Sequence, residues 1–247
     1  MKPTIKVDRV LVANVKAFTD RRKSIEQQMS RLGIPFEFML DGDIPDITPD
    51  LKQRWFRSPL TSHPKSMSCT CKHFLIYEKM AQQGWNGVLV LEDDIFLADN
   101  FVDIFNRTQK ELLARTDIDP EWAWISYENS GLRFPRQNTL TAGRYLYQAN
   151  ALRCTGAYYI GARAADYLLN VAEVEKADTV IDCYIENVMQ RPASLIEVYW
   201  CHPTIAEQGS MNGSFDSMDP RRRATWWRKV QWHADKLFKT VKHRWAS

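Results

Sequence analysis

The 247-residue chain carries 33 Lys and Arg against 30 Asp and Glu, and its 45% hydrophobic and 26% charged residues are typical of a globular protein. No stretch reaches the roughly 18 consecutive apolar residues of a transmembrane helix, and the N-terminal residues lack the apolar core of a secretory signal. The odd number of cysteines, 5, favours free thiols in a reducing cytoplasm over a disulfide framework.

Charge is unevenly distributed along the chain. From Asp219 to the C-terminus there are nine Lys or Arg and two Asp, so this segment carries +7 and the remainder carries −4. A basic segment on an acidic body predicts an anionic partner for that segment. No glycine-rich linker or internal repeat divides the remainder. We therefore predict a single domain at residues 1–218 and a basic C-terminal tail at residues 219–247.

Strands and helices alternate along the first half of the chain. In chain order we predict a strand in VDRVLVANV, a helix in TDRRKSIEQQMSRLG, a strand in PFEFML, a helix in SMSCTCKHFLIYEKMAQQG, a strand in GVLVL and a helix in ADNFVDIFNRTQKELLAR. After Pro120 we expect strands in EWAWISY, TLTAGRYLYQA, GAYYIG and SLIEVYWC, and helices in ARAADYLLNVAEVE and DTVIDCYIENVMQ. Thr19 or Asp20 is expected to cap the first helix, and Asp99 or Asn100 the third. The alternation predicts an α/β fold with a mainly parallel sheet.

Three adjacent carboxylates follow the apolar run GVLVL. Glu92, Asp93 and Asp94 lie at the expected carboxyl end of this strand, where open α/β sheets bind ligands. If strand alternation continues, Glu92 and Asp94 face one side and Asp93 the other. Two carboxylates there suit Mg²⁺ or Mn²⁺, which also bind phosphate oxygens. The alternative is that the acids solvate a loop and favour the next helix N-terminus, although Asp99 lies nearer that terminus.

Several stretches together resemble glycosyltransferase family 25, the group of bacterial lipopolysaccharide and lipooligosaccharide galactosyltransferases, with collagen galactosyltransferases as distant relatives. The matching stretches are TDRR with Asp20, Arg21 and Arg22, FEFMLDG with Asp41 and Gly42, CTCKH with Cys69 and His73, the triplet Glu92, Asp93 and Asp94, GAYYIGARAADYLL, and VID with Asp182. Lys72 stands where the family has serine in a Cys-x-x-Ser-His segment. The likeness extends over roughly residues 7 to 210.

The resemblance implies a glycosyltransferase-A-like fold, a nucleotide-sugar donor, most often UDP-galactose, and inversion at the anomeric carbon. The candidate nucleotide-binding residues under this resemblance are Arg21, Asp41, His73 and Asp93. No glycine-rich phosphate loop is present, so the diphosphate would be held through a cation and individual side chains. Alternatively, one arginine of the TDRR stretch lies on a solvated helix face and His73 packs in the core. Cys69 shares a helix face with His73 and a Cys/His pair can bind zinc, but two ligands do not make a site.

An inverting transfer needs a cation beside the leaving diphosphate and a base for the acceptor hydroxyl. Glu92 and Asp94 are the candidate metal ligands, with His202 as a third because some transferases of this fold class use a C-terminal histidine. His202 could instead simply end a strand. The candidate bases are Asp182, which matches the family pattern and could alternatively cap a helix, and Glu128, which follows a buried-looking strand.

The C-terminal stretch RRRATWWRKVQWHADKLFKTVKHRW predicts a basic amphipathic helix that contains four of the nine tryptophans. At about 100° per residue, one arc collects the apolar residues Trp227, Val230, Ala234, Leu237, Phe238, Val241 and Trp245. Tryptophan with Lys and Arg is typical of a helix in a membrane interface. The alternatives are packing of this stripe on the body and nucleic-acid binding, and the acidic body argues against the latter. Trp232 falls on the polar face, where packing on the body is not expected to use it.

Together these features predict an inverting, metal-dependent glycosyltransferase with UDP-galactose as the expected donor. Its expected acceptor is a lipopolysaccharide or lipooligosaccharide, reached from the cytoplasmic face of the inner membrane through the tail. The alternatives are a metal-dependent phosphoesterase or nucleotidyltransferase, which would need further ligands for a second metal, and a non-catalytic membrane-associated module of the same fold.

Overall fold

The computed structural model describes residues 3–216 and 225–245, without the side chains of residues 244 and 245. Its strands are β1 (Arg9–Ala13), β2 (Glu37–Met39), β3 (Gly87–Glu92), β4 (Ile95–Leu97), β5 (Ala123–Ser126), β6 (Leu146–Gln148), β7 (Ala157–Gly161), β8 (Glu197–Cys201) and β9 (Ala206–Gln208). Its helices are α1 (Thr19–Leu32), α2 (Pro49–Trp55), α3 (Pro64–Gln83), α4 (Phe101–Leu113), α5 (Ala162–Glu175), α6 (Ile181–Met189), α7 (Gly209–Asn212) and α8 (Trp226–Trp245). The predicted boundary between residues 218 and 219 lies outside the described residues.

A seven-stranded sheet in the order β2-β1-β3-β7-β5-β8-β6 forms the centre of the molecule. Strands β2, β1, β3, β5 and β8 run in one direction, whereas β7 and β6 run in the other. The mainly parallel α/β sheet is therefore confirmed. Because parallel strands end at the same edge, the residues after β1, β3 and β5 meet there, and this edge carries the candidate site. A second, two-stranded sheet pairs β4 with β9.

The sheet is buried on both faces because successive side chains point to opposite sides. On one face, Val88 and Val90 of β3 and Tyr158 of β7 pack with residues of α2, α3, α5 and α6. On the other, Leu89 and Leu91 pack with residues of α1 and α4. Because β3 is buried on both of its faces, its sequence is a continuous apolar run.

Several local expectations differ from the structure. Only Leu146–Gln148 of the predicted strand TLTAGRYLYQA pairs, since the residues before it form a turn. Phe18, rather than Thr19 or Asp20, occupies the N-cap of α1. Asn100, one of the two residues predicted to cap α4, does occupy its N-cap, although its side chain makes no capping hydrogen bond and Asp99 pairs with Arg31. The short helix α2, with Thr48 accepting from Leu51 N, was not expected.

Helix α8 packs on the body through its polar face. Trp232 is 9% exposed, and its indole N–H lies 3.2 Å from Glu207 Oε1 in β9. Lys236 Nζ lies 2.6 Å from the same oxygen. The expectation that packing would not use Trp232 is therefore wrong, because a tryptophan can bury its ring while its N–H finds a carboxylate. No helix within residues 3–216 and 225–245 is long and apolar enough to cross a membrane.

Candidate active site

The acidic triplet lies where β3 ends and the chain turns into β4. Glu92 is the last residue of β3, and Asp93 and Asp94 form the turn, so strand alternation stops at Glu92. Each acid consequently acquires its own partners. A covering segment, residues 206–216, which contains β9 and α7, lies over them: Gly209 N donates to Asp94 O at 2.7 Å. Asp94 is only 2% exposed.

Asp93 and Arg21, both predicted to bind the nucleotide, contact each other. Asp93 Oδ1 accepts from Arg21 Nη1 at 3.0 Å, and Oδ2 accepts from Asn14 Nδ2 at 2.9 Å and from Val15 N at 3.1 Å. Burial raises the pKa of Asp93 and the Arg21 charge opposes this shift. Arg21 also lies over the rings of Phe18 and Phe215. This arginine is thus fixed at the sheet edge, with its charge beside the acids.

Glu92 and Asp94 form the part of the triplet best suited to a cation. Asp94 Oδ2 accepts from Ser210 N at 3.0 Å, whereas Asp94 Oδ1 is buried and has no hydrogen-bond partner among the described residues. Burial first, and then the Glu92 charge, raise the pKa of Asp94 to about 6. A bound cation would give Asp94 Oδ1 a partner, and it would also reduce the repulsion between the carboxylates of Glu92 and Asp94. The oxygen donors fit Mg²⁺ or Mn²⁺.

The Glu92 carboxylate is oriented by three side chains. Its Oε1 accepts from Thr155 Oγ1 at 2.8 Å, and its Oε2 accepts from Gln208 Nε2 at 2.9 Å. His73 Nε2 lies 3.6 Å from Oε1. Burial alone would raise the pKa of Glu92, but the interactions with His73 and Thr155 hold it below the usual range. His73, predicted as a nucleotide contact, is itself fully buried and faces Glu92 from α3.

Glu128 follows β5 at the same sheet edge, and it is fully buried. Its Oε2 accepts from Ser130 N at 2.6 Å, whereas Oε1 lacks a hydrogen-bond partner in residues 3–216 and 225–245. Burial raises the pKa of Glu128 to about 7, and the nearby Glu92 charge adds to the rise while Arg153 opposes it. A carboxylate that takes up a proton near neutral pH has the property required of a general base.

Asp182 and His202, the remaining predicted residues, have other surroundings. Asp182 lies in the first turn of α6, where its Oδ1 accepts from Cys183 N at 2.8 Å. Burial raises the pKa of the Cys69 and Cys154 thiols, and the charge of Asp182 adds to the rise. The ring of His202 packs edge-on against Phe134 and Tyr147, and no contact with the acidic triplet is found in the part of the chain that the structure describes. His202 stays a prediction as a metal ligand.

Lys72 of α3 holds the loop after β2. Asp41 is exposed, and its carbonyl oxygen accepts from Lys72 Nζ at 2.9 Å. The buried acid of this loop is Asp43, whose Oδ1 lies 2.8 Å from Lys72 Nζ. Arg22 has the solvated position expected for one arginine of the pair, since its exposed side chain reaches Glu26.

Four residues that lie near the acids of the site were not predicted from the sequence: Arg153, Thr155, Gln208 and Ser210. Arg153 is 1% exposed, donates through Nη1 to Cys201 O at 2.6 Å, and has its pKa lowered by burial to about 10. Arg153 and Thr155 lie in a loop, Gln208 in a three-residue strand and Ser210 in the four-residue helix α7, so no periodic pattern indicates them. Two hollows of about 500 and 290 Å³ open along α1 and between residues 149–152 and α6, and neither includes an acid of the triplet.

The chain is similar in sequence to a family of glycosyltransferases. The family model described as glycosyltransferase family 25 (LPS biosynthesis protein) matches residues 7–185. A Haemophilus influenzae protein, whose name assigns it provisionally to the glycosyltransferases, is 24% identical over 222 residues, covering 82% of this chain and 75% of the relative. A glycosyltransferase 25 family member of Aedes aegypti is 25% identical over 196 residues, covering 74% of this chain and 31% of the relative. The chain therefore spans about a third of the length of the mosquito protein.

Among solved structures, a glycosyltransferase involved in glycosylation of the major capsid of PBCV-1 aligns with 94% of this chain and 100% of its own. Its TM-score is 0.44 at 11% identity. At that level the similarity adds nothing to the sheet topology described above.

Proposed function

The chain belongs to glycosyltransferase family 25 and is a glycosyltransferase, and we propose that it transfers galactose from UDP-galactose to a lipopolysaccharide or lipooligosaccharide acceptor with inversion at the anomeric carbon. The observation that carries this proposal is the buried, unpartnered Oδ1 of Asp94 beside Glu92, at the edge where parallel strands end. Family membership favours transfer over the phosphoesterase, nucleotidyltransferase and non-catalytic alternatives.

In this proposal Glu92 and Asp94 hold Mn²⁺ or Mg²⁺. When bound, the cation supplies neutralising charge for the departing diphosphate. Arg21 adds positive charge at the same edge, because Asp93 fixes its guanidinium there through Nη1 at 3.0 Å. The donor reaches Asp94 only when the covering segment moves, since Ser210 N and Gly209 N both contact this residue.

Glu128 is the proposed base. Its unpartnered Oε1 accepts the proton of the acceptor hydroxyl as that hydroxyl attacks the anomeric carbon, and the bond from this carbon to the diphosphate breaks. A pKa of about 7 leaves enough carboxylate to begin the step near neutral pH. Asp182 is the second candidate, supported by its match to the family pattern.

Association with an anionic membrane surface is the remaining part of the proposal. Helix α8 exposes the apolar residues Trp226, Trp227, Val230, Leu237, Phe238 and Val241. The same helix contains six Lys or Arg and one Asp. An apolar stripe combined with basic residues is suited to the interface of an anionic bilayer, on which a lipid-linked acceptor would also lie.

The decisive experiment measures thermal unfolding of the full chain with Mn²⁺ and a panel of nucleotide sugars. We expect UDP-galactose to give the largest rise in Tm, since a ligand present at about 100 times its Kd stabilises the folded state by about 2.7 kcal/mol. Asp94→Asn should remove this rise and the transferase activity. Asp103→Asn, an exposed acid on α4, is the matched control and should retain both. The donor assignment is wrong if no nucleotide sugar raises the Tm with metal present.

A further inference from the structure

A thiol, an imidazole and a carboxylate converge beside the acidic triplet. Cys69 and His73 lie one turn apart on α3, and Glu92 ends β3 opposite them. Cys69 Sγ, a His73 ring nitrogen and a Glu92 oxygen all lie within 4.8 Å of one another. The 3.6 Å between His73 Nε2 and Glu92 Oε1 is near the roughly 3.4 Å that separates two ligands of a tetrahedral zinc ion.

The His73 ring presents a buried nitrogen that a cation between these groups would engage. His73 is 0% exposed, yet its Nε2 has no hydrogen-bond partner within the described part of the chain. Its Nδ1 lies 2.7 Å from the Tyr158 hydroxyl, which in turn lies 2.9 Å from the Tyr77 hydroxyl. When Nδ1 donates to Tyr158, Nε2 directs a lone pair at the Glu92 carboxylate. In that tautomer the contact is repulsive unless a cation lies between them, whereas in the other tautomer Nε2 directs its proton towards Glu92.

The surroundings have the features of a supported metal site. Metal-bound histidines engage their second ring nitrogen with a neighbouring oxygen, as His73 does with Tyr158. The carboxylate ligand is oriented in the same way, since Thr155 and Gln208 donate to the two oxygens of Glu92. Cys69 is partly buried as a residue, and burial is the main cause that raises the pKa of its thiol.

We propose that Cys69, His73 and Glu92 bind one Zn²⁺ with an open fourth position. A thiolate, a carboxylate and a neutral imidazole carry two negative charges, so Zn²⁺ makes the buried cluster electrically neutral. The sulfur ligand selects zinc over Mn²⁺ and Mg²⁺, which prefer oxygen. The site is distinct from the proposed donor cation: Glu92 is common to both, whereas Cys69 and His73 belong only to the zinc site and Asp94 only to the donor site.

The test is a titration of the chelator-treated full chain with Co²⁺, a spectroscopic probe for zinc sites, without nucleotide or sugar. We expect one equivalent to bind with a thiolate-to-cobalt charge-transfer band, and Zn²⁺ to displace it. Cys69→Ser should abolish the band and weaken Zn²⁺ binding at least about tenfold. Cys71→Ala, on the same helix, and the exposed Cys183→Ala should leave both unchanged. Circular dichroism of the metal-free variants verifies their fold.

Two results would overturn this site. One is Co²⁺ binding without a thiolate band. The other is Cys69→Ser with the Zn²⁺ affinity of the unsubstituted chain. Asp94→Asn separates the zinc site from the proposed function, because it should lose the nucleotide-sugar response and keep the cobalt spectrum. Loss of the cobalt spectrum in Asp94→Asn would contradict a distinct zinc site, whatever the donor proves to be.

Discussion

Lys72, the residue at which this chain departs from the family's Cys-x-x-Ser-His pattern, has a partner that explains it. Its Nζ lies 2.8 Å from Asp43 Oδ1, and it also donates to the carbonyl oxygen of Leu40 at 3.1 Å. The side chains of Lys72 and Asp43 are 3% and 12% exposed. The pair therefore ties α3 to the loop after β2 in a place where neither charge can be hydrated alone.

Lys72→Met is expected to lower the free energy of unfolding by about 3–5 kcal/mol, because it leaves the buried Asp43 charge uncompensated. Urea denaturation measures this change. The double variant Lys72→Met with Asp43→Asn should recover part of the loss. Lys79→Met, which breaks the exposed pair with Glu37, is the control and should cost less than about 1 kcal/mol. Equal losses in the two single variants would show that Asp43 is not held by Lys72.

Glu128→Gln is expected to lower kcat by about 10²–10⁴-fold, because the amide cannot take the acceptor proton. In the unsubstituted chain, the rate should rise with pH and level off above about 7, where Glu128 becomes ionised. Steady-state rates across pH 5–9, a range of roughly two pH units either side of that pKa, measure both effects. Retention of the full rate in Glu128→Gln would move the base to Asp182.

The same substitution has a signature in stability. Burial raises the folded-state pKa of Glu128 to about 7 from 4.5, so the folded state holds this proton more tightly than the unfolded state. This tighter proton binding stabilises the folded state fully below pH 4.5. About 3 kcal/mol of that stabilisation is lost as pH rises through 7. Relative to Glu128→Gln, the unsubstituted chain should lose stability across this window in urea denaturation. A constant difference would show that the carboxyl titrates normally.

Residue identities were predictable from sequence only where a pattern singled them out. Glu92 and Asp94 stand at the end of an apolar run, and this position is informative because the sheet edge is a recurrent ligand site. Thr155 and Gln208 reach Glu92 from parts of the chain 63 and 116 residues away. Nothing in their local sequence specifies that approach, since it depends on how the whole sheet is ordered.

At the level of elements, α8 separates its two roles by face. Trp232 and Lys236 hold the helix to Glu207. Five residues of the apolar stripe are exposed, namely Trp227, Val230, Leu237, Phe238 and Val241. The sequence periodicity predicted the helix and the stripe, but not which face would dock. Hydrophobic patterning favours the stripe, whereas the opposite face docks because the indole of Trp232 and the ammonium of Lys236 both donate to the carboxylate of Glu207. Strands β4 and β9 were beyond prediction, because three residues carry too little pattern and exist only through their mutual pairing.

Leu237→Ala in α8 is expected to weaken binding to vesicles of anionic phospholipid about tenfold, since burying one leucine contributes about 1.5–3 kcal/mol. Cosedimentation measures this, and added salt should weaken binding further. Leu113→Ala on α4 is the matched control, because Leu113 and Leu237 are 70% and 66% exposed. Equal binding by the two variants, or equal binding to zwitterionic vesicles, would contradict a role for the stripe.

At the scale of the whole molecule, the reversed strand β7 sets the distance across the candidate site. It lies between β3 and β5, so the ends of these two parallel strands are two strand spacings, or about 10 Å, apart. Glu92 and Glu128 therefore lie at the ends of two parallel strands that β7 separates. The alternation of elements predicted the parallel strands. It did not predict β7 between them, because strand order is not encoded in hydrophobic periodicity.

Strand β9 connects helix α8 with the acidic triplet of the candidate site. Glu207 holds α8, while the adjacent Gln208 holds Glu92, and the next residue contacts Asp94. A shift of this short strand would therefore change its contacts with α8 and its contacts with Glu92 and Asp94 together. Thermodynamic linkage then requires reciprocity: if adsorption of α8 to lipid changes the affinity for the donor by some factor, the donor changes adsorption by the same factor. If that factor is greater than one, the protein binds its donor more tightly when α8 is already adsorbed to lipid.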